Sequence, residues 1–257
     1  MNRLKDKVAV ITGGGSGIGA ATAALFVQEG AKVLVVGRTA EKLQRTVQAI
    51  NHENISYSVA DVSNLEDTQR YVHEVVERYG GLDVLVSNAG NGGTFKPLNE
   101  STLEDFDEVM ATNVRGTWLS ARYAFPELRK RGGGSIIVTS SVAGLSGLPG
   151  CSPYVASKHA LVGMARALAQ DGAPFRIRVN AVCPGATDND MLAALHRQVA
   201  PGNEAQSRTA MEARIPLKRY GTNEEIAYLN LFLASSESSY VTGSVYSADG
   251  GWTGGLM

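Results

Sequence analysis

Tyr154 and Lys158 stand four residues apart in the stretch "SPYVASKHAL". On a helix that spacing puts a phenol and an ammonium on one face, one turn apart. A free tyrosine has a pKa near ~10, and a neighbouring ammonium lowers it by favouring phenolate. A shift of about 2–3 units would bring the phenol within reach of neutral pH, where general acid–base catalysis works. Such a phenol can give a proton to, or take one from, an alcohol oxygen. Ser152 is placed to cap this helix, and Pro153 falls where a first-turn proline is tolerated. The pair alone is a common pattern, and its neighbours give it weight. The run "SIIVTSSVAG" ends with Ser140 and Ser141 at the expected carboxyl edge of a strand, where ligands bind in open α/β sheets. A Ser141 hydroxyl there would donate to a substrate oxygen and stabilise its developing charge. Asn113 falls inside the helical stretch "EVMATNVRGTWL". Asparagine competes for backbone hydrogen bonds, so a local bulge and a water site are expected at Asn113.

A second group of residues suits a dinucleotide. "VAVITGGGSGIGAATAALF" reads strand, glycine-rich turn, helix. Gly13, Gly15, Gly17 and Gly19 allow positive φ and let backbone N–H groups approach a phosphate. The helix that starts near Ser16, Gly17 and Ile18 offers its N-terminal dipole to a pyrophosphate. The spacing is Thr12-Gly13-x-x-x-Gly17-x-Gly19, out of register with G-x-G-x-x-G. The next strand-like run ends in Gly37-Arg38, where an NAD-binding chain carries Asp or Glu for the ribose 2′-OH. A guanidinium binds a 2′-phosphate with two prongs. NADP(H) is therefore favoured, with NAD(H) as the alternative.

The elements that position these residues follow from periodicity. Short β-branched runs at 8–12, 32–36, 55–60, 83–87, 135–140, 177–183 and 244–248 alternate with helical stretches at 17–29, 40–51, 64–79, 102–130, 153–171 and 222–234. Several runs are apolar at consecutive positions, as strands buried on both faces require. Strand–helix alternation implies right-handed βαβ units. The expected fold is α/β, a Rossmann-type doubly wound parallel sheet of about seven strands with helices on both faces. No linker or charge run divides the 257 residues, so one domain is expected. Residues 186–215 break the rhythm as an insertion of helical pieces around a Pro-Gly break, placed where substrate loops occur. A net charge of -1 leaves no footprint for nucleic acid or an anionic membrane. Two cysteines, Cys151 and Cys183, have no metal-like spacing and make no disulfide framework. No signal peptide or membrane span is read, so the expected location is cytoplasmic. No carboxylate–His group has metal-site spacing, and no metal is expected.

With these motifs in hand, the chain resembles the short-chain dehydrogenase/reductase family, in its compact subtype of about 250 residues, over essentially its whole length. Thr12-Gly13-x-x-x-Gly17-Ile18-Gly19 resembles the family's cofactor loop. "VADV" resembles the segment in which Asp61 and the backbone of Val62 meet adenine. "SNAG" resembles its Asn-Asn-Ala-Gly turn, with Ser87 for the first Asn, so Asn88, Ala89 and Gly90 would pass beside the ribose. Asn113, Ser141, Tyr154 and Lys158 match its catalytic tetrad in order and spacing. "CPGATDND" resembles the turn that packs on nicotinamide through Pro184, Gly185 and Thr187. Asn189 stands where the family usually has Thr, and can still bond the carboxamide.

The resemblance implies that Tyr154 is the acid/base and that Lys158 lowers its pKa and binds the nicotinamide ribose. It implies that Ser141 orients the substrate and Asn113 holds a relay water. It also implies a homotetramer built through the Tyr154 helix, the 103–130 helix and the last strand. The expected function is NAD(P)-dependent interconversion of a secondary alcohol and a ketone. Readings kept beside it are a 3-oxoacyl-thioester reductase, a polyol or sugar dehydrogenase, and a non-catalytic dinucleotide sensor. Pocket candidates are Asn91 to Lys96, Gly144 to Cys151 and 188–215. Leu145, Leu148, Met191, Leu192, Leu195 and Met211 would give an apolar lining, with Ser146, Asn91 and His196 as polar contacts. His196 also reads as a solvated residue.

Overall fold

The computed structural model describes residues 2–254 of the chain. Seven parallel strands form one sheet in the order β3-β2-β1-β4-β5-β6-β7. They are β1 (Val8–Thr12), β2 (Lys32–Gly37), β3 (Ile55–Val59), β4 (Val84–Ser87), β5 (Gly134–Thr139), β6 (Ile177–Pro184) and β7 (Val245–Ala248). The helices are α1 (Gly17–Gln28), α2 (Ala40–Ile50), α3 (Leu65–Tyr79), α4 (Leu103–Met110), α5 (Gly116–Lys130), α6 (Ser152–Gly172), α7 (Asp190–Val199), α8 (Glu204–Arg214) and α9 (Asn223–Ala234).

The period-2 geometry of a strand divides the core into two layers. Val8, Val10, Leu34 and Val36 face α3, α5 and α6, against Tyr71, Val75, Leu128 and Leu161. Ala9, Ile11, Val33 and Val35 face α1, α2 and α9, against Phe26, Leu43 and Leu231. Each such aliphatic side chain contributes about 1.5–3 kcal/mol on full burial. The chain runs outward from β1 to β3, then returns to lay β4 on the other side of β1. That reversal opens a crevice at the carboxyl ends of β1 and β4, the place where open α/β sheets bind ligands.

Element bounds follow the sequence periodicity within one or two residues. The long helical stretch 102–130 is interrupted by a π-helical segment, Ala111–Arg115, in which the Gly116 N–H bonds to the Ala111 carbonyl. Asn113 sits at its centre, and the expected bulge is there. The 186–215 segment supplies α7 and α8, joined by a break containing Pro201 and Gly202. Beneath this arm a third cluster forms from Ala186, Ile215 and Tyr220, with Leu192, Met211 and Trp252 packed on it. No helix among the described residues is long and apolar enough to cross a membrane.

Candidate active site

The glycine loop is shaped by close approach. Gly13 (φ +68) and Gly17 (φ +54) adopt left-handed backbone. A Cβ on Gly13 would lie 2.9 Å from the Ala89 Cα, and one on Gly19 would lie 2.3 Å from the Gly13 carbonyl oxygen. The Thr12 hydroxyl draws the loop onto the β4 turn by accepting from the N–H groups of Asn88 (3.0 Å) and Ala89 (3.1 Å). The Asn88 side chain donates to the Thr12 carbonyl at 3.2 Å. Thr12 is not one of the expected site residues. The signal is its place as the last residue of a buried strand. α1 starts without a side-chain cap from Ser16 and without an acid in its first turn. Uncapped N–H groups behind a glycine cradle are the donor set that a pyrophosphate needs, so these residues fit a dinucleotide.

Arg38 lies exposed at the end of β2 and makes no hydrogen bond or ion pair among the described residues. The nearby acid, Asp61, is engaged: its Oδ1 accepts from the Ser63 N–H at 2.9 Å and the Ser63 hydroxyl at 2.7 Å. Val62 is buried, against the Gly116 that begins α5. A groove of about 610 Å³ runs between α1 and α2 from Gly15 and Ser16 to His52, rimmed by Lys42, Arg45 and Asp190. Neither Arg38 nor Tyr154 lines it.

On the other side of the crevice, β5, α6 and the π-helical segment bring Asn113, Ser141, Tyr154 and Lys158 together. The Lys158 ammonium donates to the Thr139 carbonyl at 2.9 Å and lies 5.5 Å from the centre of the Tyr154 ring. The Ser141 hydroxyl lies beside the phenol, and its oxygen accepts from the Ala143 N–H at 3.1 Å. Fully buried Asn113 accepts from the Asn91 N–H at 2.7 Å and donates to the Asn91 carbonyl at 3.0 Å. It also donates to the Ser157 hydroxyl at 2.9 Å, and Ser157 in turn donates to the Tyr154 carbonyl at 2.7 Å. Ser157 is not one of the expected site residues. Its hydroxyl ties the π-helical segment to the helix that carries Tyr154. A Cβ on Gly90 would come within 3.5 Å of the Asn113 Oδ1 and 3.6 Å of the Lys158 Nζ, so the β4 turn meets the tetrad here.

Burial governs the electrostatics. It raises the Tyr154 phenol above its usual value, the Ser141 hydrogen bond partly opposes this, and the thiols of Cys151 and Cys183 add to the rise. Burial brings the Lys158 ammonium down to about 8. The net direction of the phenol is upward, where the Lys158 ammonium alone is expected to lower it. In this geometry the ammonium is committed to the Thr139 carbonyl, and desolvation of the phenolate wins. The expected cap on α6 also fails: the helix begins at Ser152 itself, behind Cys151, which supplies no cap bond.

The segment after β6 forms the third wall. Pro184 ends the strand, and a Cβ on Gly185 would lie 2.7 Å from the Asp249 Cα. The buried Thr187 hydroxyl donates to the Gly185 carbonyl at 3.1 Å. Asn189 caps α7 by accepting from the Leu192 N–H at 3.1 Å, leaving its amide N–H groups to donate elsewhere. α7 then crosses the crevice. Met191 packs over Gly92, and the Gln198 carboxamide accepts from the Phe95 N–H at 2.9 Å.

Several expected pocket residues do other work. His196 is neither solvated nor a pocket contact; it is buried between Ser207 and Tyr220. Leu192 and Met211 pack on the small cluster under the arm. Asn91 is bonded to Asn113 and to the Gly93 N–H. Leu145 and Met191 remain exposed.

Residues 13–253 match the family model described as Enoyl-(Acyl carrier protein) reductase. An uncharacterized oxidoreductase of Thermotoga maritima is 43% identical over 252 residues, covering 97% of this chain and 98% of that protein. The 3-oxoacyl-(acyl-carrier-protein) reductase FabG of the same organism is 40% identical over 253 residues, covering 97% and 98%. The crystal structure of levodione reductase superposes with a TM-score of 0.97 at 35% identity, covering 98% of this chain and 100% of that one.

Proposed function

The chain belongs to the short-chain dehydrogenase/reductase family, as an NAD(P)-dependent oxidoreductase that interconverts alcohols and ketones, and on that premise we propose that Tyr154 is its acid–base group. The observation that carries this reading is the meeting of the Ser141 hydroxyl, the Tyr154 phenol and the Lys158 ammonium at the end of β5, beside the β4 turn. The nicotinamide dinucleotide, when bound, supplies or accepts the hydride. Ser141 orients the substrate oxygen and donates to it as charge develops. Tyr154 gives that oxygen a proton in reduction and takes one in oxidation. Burial holds the phenol protonated, the form that gives a proton in carbonyl reduction. Lys158 binds the ribose hydroxyls on the nicotinamide side and keeps a positive charge beside the phenol. Asn113 holds the π-helical segment, whose displaced carbonyls offer a seat for a relay water.

The cofactor loop comprises Gly13, Gly15, Ser16, Gly17, Ile18 and Gly19, with Asp61 and Val62 beside adenine and Asn88, Ala89 and Gly90 beside ribose. Pro184, Gly185, Thr187 and Asn189 face nicotinamide. NADP(H) is the preferred form, because Arg38 is free at the end of β2 and Asp61 is held by Ser63. The whole chain is read as one dinucleotide-binding domain with the 186–215 arm closing over its substrate. Exposed Leu103, Phe106 and Trp118 on α4 and α5, with Tyr228 and Tyr240 near the edge strand β7, support a homotetramer. Two free, buried thiols suit a reducing cytoplasm.

The substrate is read as a neutral ketone of modest size. The cation of the 91–96 loop, Lys96, is paired with Asp105 at 2.6 Å, and Met191 and Leu145 offer apolar surface. The test is oxidation of NADPH and NADH against neutral ketones, keto sugars and a 3-oxoacyl thioester. The expected result is the highest kcat/KM with NADPH and a neutral ketone, and loss of the NADPH preference in Arg38→Ala. A thioester preferred tenfold or more, or tighter binding of NADH by the unaltered protein, would reverse the corresponding part.

A further inference from the structure

α8 has no fully buried side chain, yet one guanidinium on it reaches three segments of the chain. Arg208 donates through both terminal nitrogens to the Asp188 carboxylate, at 2.9 and 3.1 Å. Its Nε donates to Glu212 at 3.0 Å, and its plane lies 4.5 Å from the centre of the Tyr220 ring. The Tyr220 hydroxyl meets His196 Nε2 at 2.8 Å, with the two rings nearly parallel. His196 Nδ1 meets the Ser207 hydroxyl at 2.9 Å. α7, α8 and the 215–222 segment are therefore cross-tied around one cation. A lone exposed ion pair contributes little, but a bidentate, stacked guanidinium inside a network is the geometry in which such pairs matter.

Asp188 is the point where this network reaches the crevice. Its N–H donates to the Gly221 carbonyl at 3.0 Å, and its own carbonyl accepts from Asn223 at 3.0 Å. Those bonds hold the main chain from the α9 side, and Arg208 anchors the side chain from α8. Thr187 and Asn189 flank Asp188 directly. We propose that Arg208 is a positioning residue. Through Asp188 it fixes Thr187 and Asn189 against the nicotinamide half of the dinucleotide, so that a guanidinium acting through a neighbouring carboxylate sets cofactor affinity. The inference rests on the reading that residues 187–189 face nicotinamide.

Calorimetric titration tests it with two ligands: reduced dinucleotide, and 2′-phospho-ADP-ribose, which lacks the nicotinamide. Arg208→Ala weakens the dinucleotide about tenfold, a change typical of coupled contacts, and leaves the fragment within twofold. Asp188→Asn gives the same pattern, and the double variant is no weaker than either single one. Arg208→Lys recovers part of the loss, since an ammonium cannot span both carboxylate oxygens. Equal weakening of both ligands, or additive losses in the double variant, would assign Arg208 a purely structural role and overturn the proposal. If the unaltered protein binds dinucleotide no better than the fragment, the reading of residues 187–189 falls first, and the proposal with it.

Discussion

The ledge formed by β5 and α6 and the arm formed by α7 and α8 face one crevice, yet different forces hold them. On the ledge, Asn113, Ser157 and Lys158 are buried, and their polar atoms bond to the backbone or to one another. α6 lies against the main core through Leu161, Ala165 and Ala169. On the arm, α8 has no fully buried side chain, and cohesion comes from the Arg208–Asp188–Tyr220–His196 network over a small apolar cluster. The proton-handling groups therefore stand on the more deeply packed part of the molecule, where local opening is costliest. The surface that must admit and release ligands is held by polar contacts that exchange with water. Precision and access are assigned to different regions.

The largest break in this contrast comes from the ledge. Lys158→Met should lower kcat by about 10²–10⁴ in a steady-state ketone reduction assay. Removing a buried ammonium also relieves its desolvation, so the Tm should move by no more than about 4 °C, the shift that 1 kcal/mol produces at this size. A large fall in Tm would mean that Lys158 is structural.

The pH dependence of the unaltered protein sharpens the same point. Lys158 is depressed from its ordinary value to about 8. A depressed ammonium costs stability below about pH 8, and that cost is relieved as pH rises toward the unfolded value. Activity runs the other way, because the neutral amine no longer supports the phenol. Relative to Lys158→Met, the unaltered protein should gain Tm between pH 8 and 10 while its kcat falls. Parallel curves for the two proteins would contradict the assignment.

On the arm the titrating group is His196, held below its ordinary value by burial and by Arg208, with Glu212 opposing. The groups facing it are Arg208, Glu212 and Tyr220, with Asp188 beyond Arg208. Its neutral form is the folded one, so stability is lost as pH falls through its folded pKa. Trp252 packs on this arm, and in Trp118→Phe it is the one remaining tryptophan. Its fluorescence should shift on acidification below about pH 6, the ordinary histidine range. Kinetic constants taken above pH 7 should not respond to the same change. No shift, or a shift that persists in His196→Phe, would remove His196 from the network.

The smallest effects compare two helix starts. Asn189 caps α7 through its side chain, so Asn189→Ala should cost about 1 kcal/mol in denaturant unfolding. Ser152→Ala should stay within about 0.5 kcal/mol, because α6 has no side-chain cap to lose.

The same contrast explains what the sequence makes legible. β-branched runs such as "VAVIT" and "KVLVV" have one way to be buried, so the sheet and its carboxyl edge follow from local pattern. Asn113 in a helical stretch announces its own bulge, because a side chain that competes for backbone bonds needs a break in the ladder. The arm carries no such local signal. His196 beside Arg197 reads as exposed, and its burial depends on Ser207 and Tyr220, which local periodicity cannot bring together. The direction of the Tyr154 shift is likewise invisible in the Tyr-x-x-x-Lys spacing. It depends on how deeply the phenol is desolvated and on where Lys158 spends its hydrogen bond.

Tyr154→Phe tests the proton-transfer role most directly. Removing one oxygen keeps the ring in place and takes away the exchangeable proton. The decisive measurement is kcat for ketone reduction in that variant, with dinucleotide affinity measured on the same sample. A loss of at least about 10²-fold in kcat with affinity within about threefold is predicted. Turnover retained within about tenfold, with the cofactor still bound, would contradict the claim that this phenol moves the proton.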